Sequence, residues 1–216
     1  SLPDIVSPVG VTALGGLIVF GLNTKPFYGT LDETRVWSRV LSQAEVQGTM
    51  NCEIPGGVPG LIAYYRFNQG IVNSNNTSVI SLDDSSGNGY GGTLFNFTLT
   101  GTSSTWVGPG AVTPGNICSP DEADALNFEG SGDYVDITGN PLNNLATGTI
   151  ETWVRFDRTD ISQVIYSHQI DNVNTIAVLS LGFYTDGLGF GHESTPGMLF
   201  FHFQNSQNNI SSNSIL

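Results

Sequence analysis

The residues best suited to chemistry lie in a tight loop, Asp83-Asp84-Ser85-Ser86-Gly87-Asn88-Gly89. This loop places carboxylate, hydroxyl and amide oxygens close together, and a hard cation such as Ca²⁺ takes about six to eight oxygen ligands. Asp83, Asp84 and Asn88 are therefore candidate calcium ligands. The spacing does not match an EF-hand. The alternative is an Asx-turn, in which Asp84 and Asn88 bond to their own backbone.

The two cysteines of the chain, Cys52 and Cys118, each lie in a connection rich in Gly and Pro. In a secreted protein, an even number of cysteines suggests a disulfide. A bridge between them would stabilise the fold by roughly 4 kcal/mol on the chain-entropy model. The alternatives are two free thiols, or pairing with cysteines elsewhere in a longer chain.

The segment that follows Tyr28 shows the clearest local structure. Side chains alternate with a period of two, which indicates a strand. One face would carry Leu31, Glu33, Arg35 and Trp37, and the other Asp32, Thr34, Val36 and Ser38. Because neither face is purely apolar, we expect this strand near a sheet edge or a domain rim. Ser42-Gln-Ala-Glu45 has the form of a capping box and predicts one short helix near 42–49.

Alternation elsewhere predicts the remaining strands. Including the strand just described, they are expected near 11–22, 28–37, 61–68, 92–99, 125–129, 133–137, 149–157, 162–170, 175–184 and 197–204. Residues 107–124 form a long connection rich in Pro, Gly and acidic residues, whose length suggests surface exposure.

The segment 29–46 reads G-T-L-D-E-T-R-V-W, followed by L-S-Q-A-E. It resembles the closing strand and helix of laminin-G-like and pentraxin-like jelly rolls, in the concanavalin A-like lectin superfamily. Further segments resemble strands and turns of the same domain type, in the same order: 61–67, 84–94, 125–137 and 149–156. The resemblance implies an all-β antiparallel jelly-roll sandwich with one short helix.

The resemblance also has implications for setting and ligands. Segments 51–53, 67–70 and 75–76 are most similar to secreted proteins of the Bacteroidota, including large surface adhesins and gliding-motility proteins. Jelly rolls of this type often bind calcium on a rim, which implies a Ca²⁺ site without fixing its ligands.

The closing motif lies near the start of the chain, and this position predicts a division into modules. Residues 1–50 would be the C-terminal part of one laminin-G-like module, 51–60 a linker, and 61–216 the N-terminal two thirds of the next. The alternative is a circularly permuted closure, in which the first segment completes the core of the second.

Composition suits an all-β extracellular module, with 27 Gly and 12% charged residues. The net charge of −13 argues against nucleic acid, which requires basic patches, and against anionic lipid surfaces. No apolar run is long enough to span a membrane, so no direct membrane insertion is expected. Residues 1–20 lack the basic start of a signal peptide.

Nothing in the sequence resembles a catalytic site. Glycosidases of the concanavalin A-like superfamily place acids on one strand in the pattern E-x-D-x-E, which is absent here. Glu151 and Asp157 are six positions apart, and Asp133 and Asp136 fall on opposite faces. The three histidines, His168, His192 and His202, are scattered. We therefore expect no enzyme.

Aromatic residues recur at strand spacing, which is typical of a core, although ring faces also stack on sugars. Trp153 is placed either in the core or on the concave face. We expect a non-catalytic extracellular adhesion module in a large secreted or cell-surface protein. It would bind a glycan or a protein ligand on the concave face or loop rim, beside neighbouring modules or within a larger assembly. The alternatives are an accessory carbohydrate-binding module of a secreted enzyme and a purely structural stalk repeat.

Overall fold

The computed structural model describes residues 11–19, 22–112, 125–139, 141, 148–158, 160–161, 163–169, 175–181, 184–185, 191–192, 199–205 and 208–214. Two antiparallel sheets account for most of this structure, so the fold is all-β, as the sequence predicts. The described residues contain one α-helix, α1 (Gln43–Thr49), and one short 3₁₀ turn, Gly101–Ser103.

The larger sheet has eight strands. From edge to edge they are β17 (Asn208–Ser214), β16 (Leu199–Asn205), β13 (Thr175–Leu181), β12 (Gln163–Gln169), β1 (Thr12–Leu14), β10 (Tyr134–Ile137), β7 (Gly92–Phe95) and β6 (Ser81–Leu82). β1, the first strand that the structure describes, therefore lies between two strands that are distant in sequence.

The smaller sheet has five strands: β11 (Thr149–Phe156), β4 (Tyr28–Trp37), β9 (Ala125–Glu129), β8 (Trp106–Val107) and β5 (Leu61–Tyr65). β4 pairs with β11 along one side, and with β9 and β5 in succession along the other. β4 is not itself an edge strand, because it has neighbours on both sides, but it lies next to β11, the last strand of the sheet, as the expectation of a strand near a sheet edge requires. Two small ribbons complete the fold: β2 (Ile18–Val19) with β3 (Leu22–Asn23), and β14 (Tyr184–Thr185) with β15 (Gly191–His192).

The two sheets enclose a common apolar core. Leu14, Val135 and Tyr166 come from the larger sheet, and Leu31 and Tyr65 from the smaller one, and all are buried in one cluster. Burial of side chains of this size contributes roughly 1.5–3 kcal/mol each.

The segments 1–50 and 61–216 both contribute to that core. β1 pairs with β10 and β12, and Val36 of β4 lies opposite Ala63 of β5 in the same cluster. This is the packing that the permuted closure predicts. The assignment of the two segments to successive modules of a longer chain stays a prediction.

The helix begins as its sequence predicts. The Glu45 backbone N–H donates to the Ser42 hydroxyl, and the Ser42 backbone N–H donates to the Glu45 carboxylate at 2.8 Å. This capping box satisfies two backbone donors that the first turn leaves unpaired. α1 and the residues that follow it lie over the face of the smaller sheet that points away from the core, where Trp37, Ile54, Leu61 and Tyr64 form a second apolar cluster.

Candidate ligand-binding site

A bulge in β4 determines which side chains face away from the core. Arg35 lies opposite Glu151 and Asp32 lies opposite Trp153, so β4 contains one more residue than β11 between these pairs. Glu33, within the bulge, has φ +50°, a left-handed conformation that costs roughly 1–2 kcal/mol for a residue with a side chain.

Because of the bulge, the side chains of β4 do not show the strict alternation between the two faces that the sequence predicted. Leu31 and Val36 both face the core, although they are five positions apart. Leu31 is therefore not on the face of Arg35 and Trp37, as strict alternation predicted. We call the opposite side of the sheet, which carries Arg35, Tyr64, Glu151 and Trp153, the outer face.

Arg35 is the centre of a buried polar network on the outer face. Its guanidinium is 2% exposed and forms an ion pair of 2.5 Å with Glu33, which is equally buried. A second ion pair of 3.3 Å reaches Glu151 on the neighbouring strand. The Tyr64 hydroxyl donates to the same oxygen of Glu33 that Arg35 contacts. Three elements, β4, β5 and β11, therefore meet at one guanidinium.

Arg35 also holds the helix in place. It donates to the carbonyl of Thr49 at 2.9 Å, and to the carbonyl of Cys52. Carbonyls at a helix C-terminus lack partners within the helix and carry partial negative charge, which a cation offsets. The indole N–H of Trp153 donates to the carbonyl of Met50 at 2.6 Å. The outer face thus binds the end of α1 through side-chain donors.

Two adjacent carboxyl groups of β4 are buried. Asp32 accepts three backbone N–H groups, from Ala111 at 2.7 Å, Val112 at 3.2 Å and Glu33 at 2.9 Å. Burial, assisted by the charge of Glu33, nevertheless raises the pKa of Asp32 to about 8. Burial also raises the pKa of Glu33, against the opposing effects of Tyr64 and Arg35.

Not every polar atom in this network is paired. Glu33 Oε1 and Arg35 Nε are buried and have no hydrogen-bond partner among the described residues. An unpaired buried polar atom costs about 1–3 kcal/mol. Such atoms are the ones that a bound ligand or water satisfies.

A cavity of about 360 Å³ lies directly over this network. Its polar lining is provided by Glu33, Arg35, Glu151 and Thr152, and its apolar lining by Val46, Met50 and Trp153. The sheet supplies one wall, and α1 with the residue after it supplies the other. We call this the first cavity.

A second cavity of about 200 Å³ lies on the other side of Trp153. Thr30, Asp32 and Arg155 line it from the sheet, and 109–111 form its opposite wall. Trp153 lines both cavities, so the two share an aromatic boundary. The sequence analysis placed Trp153 either in the core or on the concave face of the sandwich. The structure places it, partly exposed, on the outer face.

The loop 83–89 adopts the turn arrangement. Asp84 Oδ1 accepts the backbone N–H groups of Tyr64 and Ser86, and Oδ2 accepts the Ser86 hydroxyl and the Tyr90 N–H. Asn88 donates its amide to the carbonyls of Leu61 and Ile62. Each Asp84 oxygen thus accepts two hydrogen bonds, so Asp84 does not fit a calcium site without giving up some of them. Asp83 is exposed, and in the described part of the chain no group of three or more His, Cys, Asp or Glu side chains could hold a metal ion.

The remaining sequence candidates that the structure describes do not form a common site. Cys52 is buried and takes part in a disulfide, whereas Cys118 lies outside the described residues. The Asp133 carboxylate accepts hydrogen bonds from the backbone N–H of Glu129 and the hydroxyl of Ser131. These bonds stabilise the turn between β9 and β10. His168 is buried and bonded to Thr12 at 2.5 Å, and burial lowers its pKa to about 4.

Sequence reasoning missed Glu33 and Arg35 as site residues. In the sequence, both residues lie on the predicted strand face that also carries Trp37. Charged residues on such a face suggested a strand at the rim of the domain rather than a buried polar network. The contacts that reveal the site join β4 to Thr49, Cys52, Tyr64 and Glu151, and most of these are distant in sequence.

No family model matches the chain, and neither a curated protein nor a solved structure does. Within the described residues, no helix is both long and apolar enough to cross a membrane.

Proposed function

We propose that this chain is a non-catalytic binding module of a secreted or cell-surface protein, a jelly roll of the laminin-G-like type, and that it binds a glycan. One observation carries the proposal: the first cavity combines a partly exposed tryptophan with a buried carboxylate, a second carboxylate that is partly exposed, and a buried guanidinium. The site lies on the outer face beside α1.

The lining groups match the chemistry of a sugar. A pyranose has an apolar face that packs on an aromatic ring, and hydroxyl groups that both donate and accept hydrogen bonds. Trp153 supplies the ring, Glu151 accepts, and Arg35 donates. The net charge of −13 and the acids in the cavity favour a neutral glycan over an acidic one.

The same network supports binding rather than hydrolysis. A glycosidase requires one carboxyl group that gives a proton to the glycosidic oxygen, and a second that acts as base or nucleophile. Here both Glu33 and Glu151 contact Arg35, and Glu33 also accepts from Tyr64. These bonds hold the carboxylates as part of the scaffold.

The proposal is tested by applying the folded protein to an array of neutral and acidic glycans. We expect binding to neutral glycans, and a loss of at least about tenfold in affinity for Trp153→Ala, because stacking on the ring disappears. Tyr134→Ala is the matched control, since Tyr134 stacks on Phe95 on the larger sheet, at 4.7 Å between ring centres. Thermal melts of both variants show whether the fold is intact.

An array without binding to the folded protein would contradict the proposal and favour a stalk repeat or a protein ligand. Equal losses for Trp153→Ala and Tyr134→Ala would place the glycan elsewhere. Binding that survives Trp153→Ala would likewise remove the first cavity from the site.

A further inference from the structure

The outer face offers a ligand more than one place to bind. The first and second cavities lie on either side of Trp153, and the indole lines both. Two adjacent cavities that share one aromatic residue fit a ligand that extends across both.

The register shows that both cavities follow the same strand. Trp153 lies opposite Asp32, and Arg155 lies opposite Thr30, while Val154 between them packs against the core. Glu151, Trp153 and Arg155 thus project from one face of β11 in succession. From Glu151 to Arg155 the strand extends by about 13 Å, which is longer than a single sugar ring.

The second cavity carries its own polar groups. The Arg155 side chain is 66% exposed and forms an ion pair of 3.4 Å with Asp157. The Thr30 hydroxyl is within 3.4 Å of Asn127. Asp32 is held by three backbone N–H groups and forms a fixed polar wall. Hydroxyl and guanidinium groups of this kind form hydrogen bonds with the hydroxyl groups of sugars.

We propose that the ligand is a linear neutral oligosaccharide of at least two units, which runs along β11 and crosses Trp153 from the first cavity to the second. This inference rests on the proposed function and specifies its ligand class. One sugar occupies the first cavity, and the next contacts Thr30 and Arg155.

Calorimetric titration with neutral gluco-, manno- and galacto-oligosaccharides of one to four units tests the inference. For the series that binds, we expect affinity to rise at least tenfold between one unit and three. Arg155→Ala should weaken binding of the trisaccharide several-fold and leave the monosaccharide unchanged. Arg158→Ala is the matched control, because Arg158 is a surface arginine paired with Asp160 and lines neither cavity.

The outcomes separate the two proposals. Equal affinity for all lengths, or an equal effect of Arg155→Ala on one unit and on three, overturns the extended ligand but leaves glycan binding in place. No binding by any member of the three series overturns the proposed function, and the extended ligand with it.

Discussion

Arg35 and Glu33 lie two positions apart on β4 and form an ion pair of 2.5 Å whose two side chains are each 2% exposed. Charges so deeply buried lose their hydration, and each depends on the other and on its hydrogen bonds. Arg35 has in addition the carbonyls of Thr49 and Cys52. The pair therefore couples the bulge in β4 to the position of α1.

Replacing Arg35 with methionine should destabilise the protein by about 3–5 kcal/mol, because Glu33 is left buried without its cation. Urea unfolding of the variant and of the unmodified protein measures the change in the free energy of unfolding. Arg39→Met is the matched control, since the Arg39–Glu45 pair is about half exposed, and solvent screening is expected to leave it little effect on stability. Similar small losses in the free energy of unfolding for both variants would show that the buried ion pair stabilises the protein no more than the exposed one.

Stability should fall as the pH rises through the pKa of Asp32. The folded state keeps the Asp32 proton up to about pH 8, whereas the unfolded state loses it near pH 4. The stabilisation is thus complete below about pH 4, declines as the pH rises from there, and is gone above about pH 8. Between pH 7 and 8.5, where His168 is neutral in the folded state and mostly neutral in the unfolded state, we expect a loss of about 1 kcal/mol.

Asp32→Asn provides the test, because an amide does not titrate. Urea unfolding at pH 7, 7.75 and 8.5 should give a declining free energy for the unmodified protein and a flatter line for the variant. If the free energies of unfolding of both proteins declined equally with pH, another group would titrate in this range. If neither declined, no group would titrate there.

The sequence anticipated the helix and many of the strands, but not β6, β8, β15 or β17, and the single strand expected at 11–22 is divided into short strands. The strand 28–37 and the capping box at Ser42 have local signals, and both match the structure. The bulge has no local signal, because the sequence Asp32-Glu33-Thr34-Arg35 continues an ordinary alternation. Glu33 adopts its left-handed conformation where Tyr64 and Arg35 hold its side chain. Pairings such as Thr12 with Ile137 and His168 likewise depend on distant residues.

The Asp84 loop should be insensitive to chelation. Its four donors come from the chain itself, so removal of divalent cations is expected to leave the melting temperature unchanged. Asp84→Ala should lower the melting temperature equally with and without chelator, because several backbone donors lose their acceptor. Asp83→Ala, at the exposed neighbour, should have little effect. A fall in melting temperature with chelator that Asp84→Ala abolishes would instead establish calcium at this loop.

The shared core predicts the behaviour of a chain cut between the two segments. The loop at 55–57 is exposed and separates α1 from β5, so a protease site inserted after Gly57 gives access to it. The first fragment retains β4, whose Leu31 and Val36 are buried against the strands of the second. We expect the fragments to stay associated and to elute together on gel filtration under native conditions. Reductant must be present, so that the disulfide of Cys52 does not join them. Separation into an unfolded first fragment and a folded second one would contradict a common core and support successive modules.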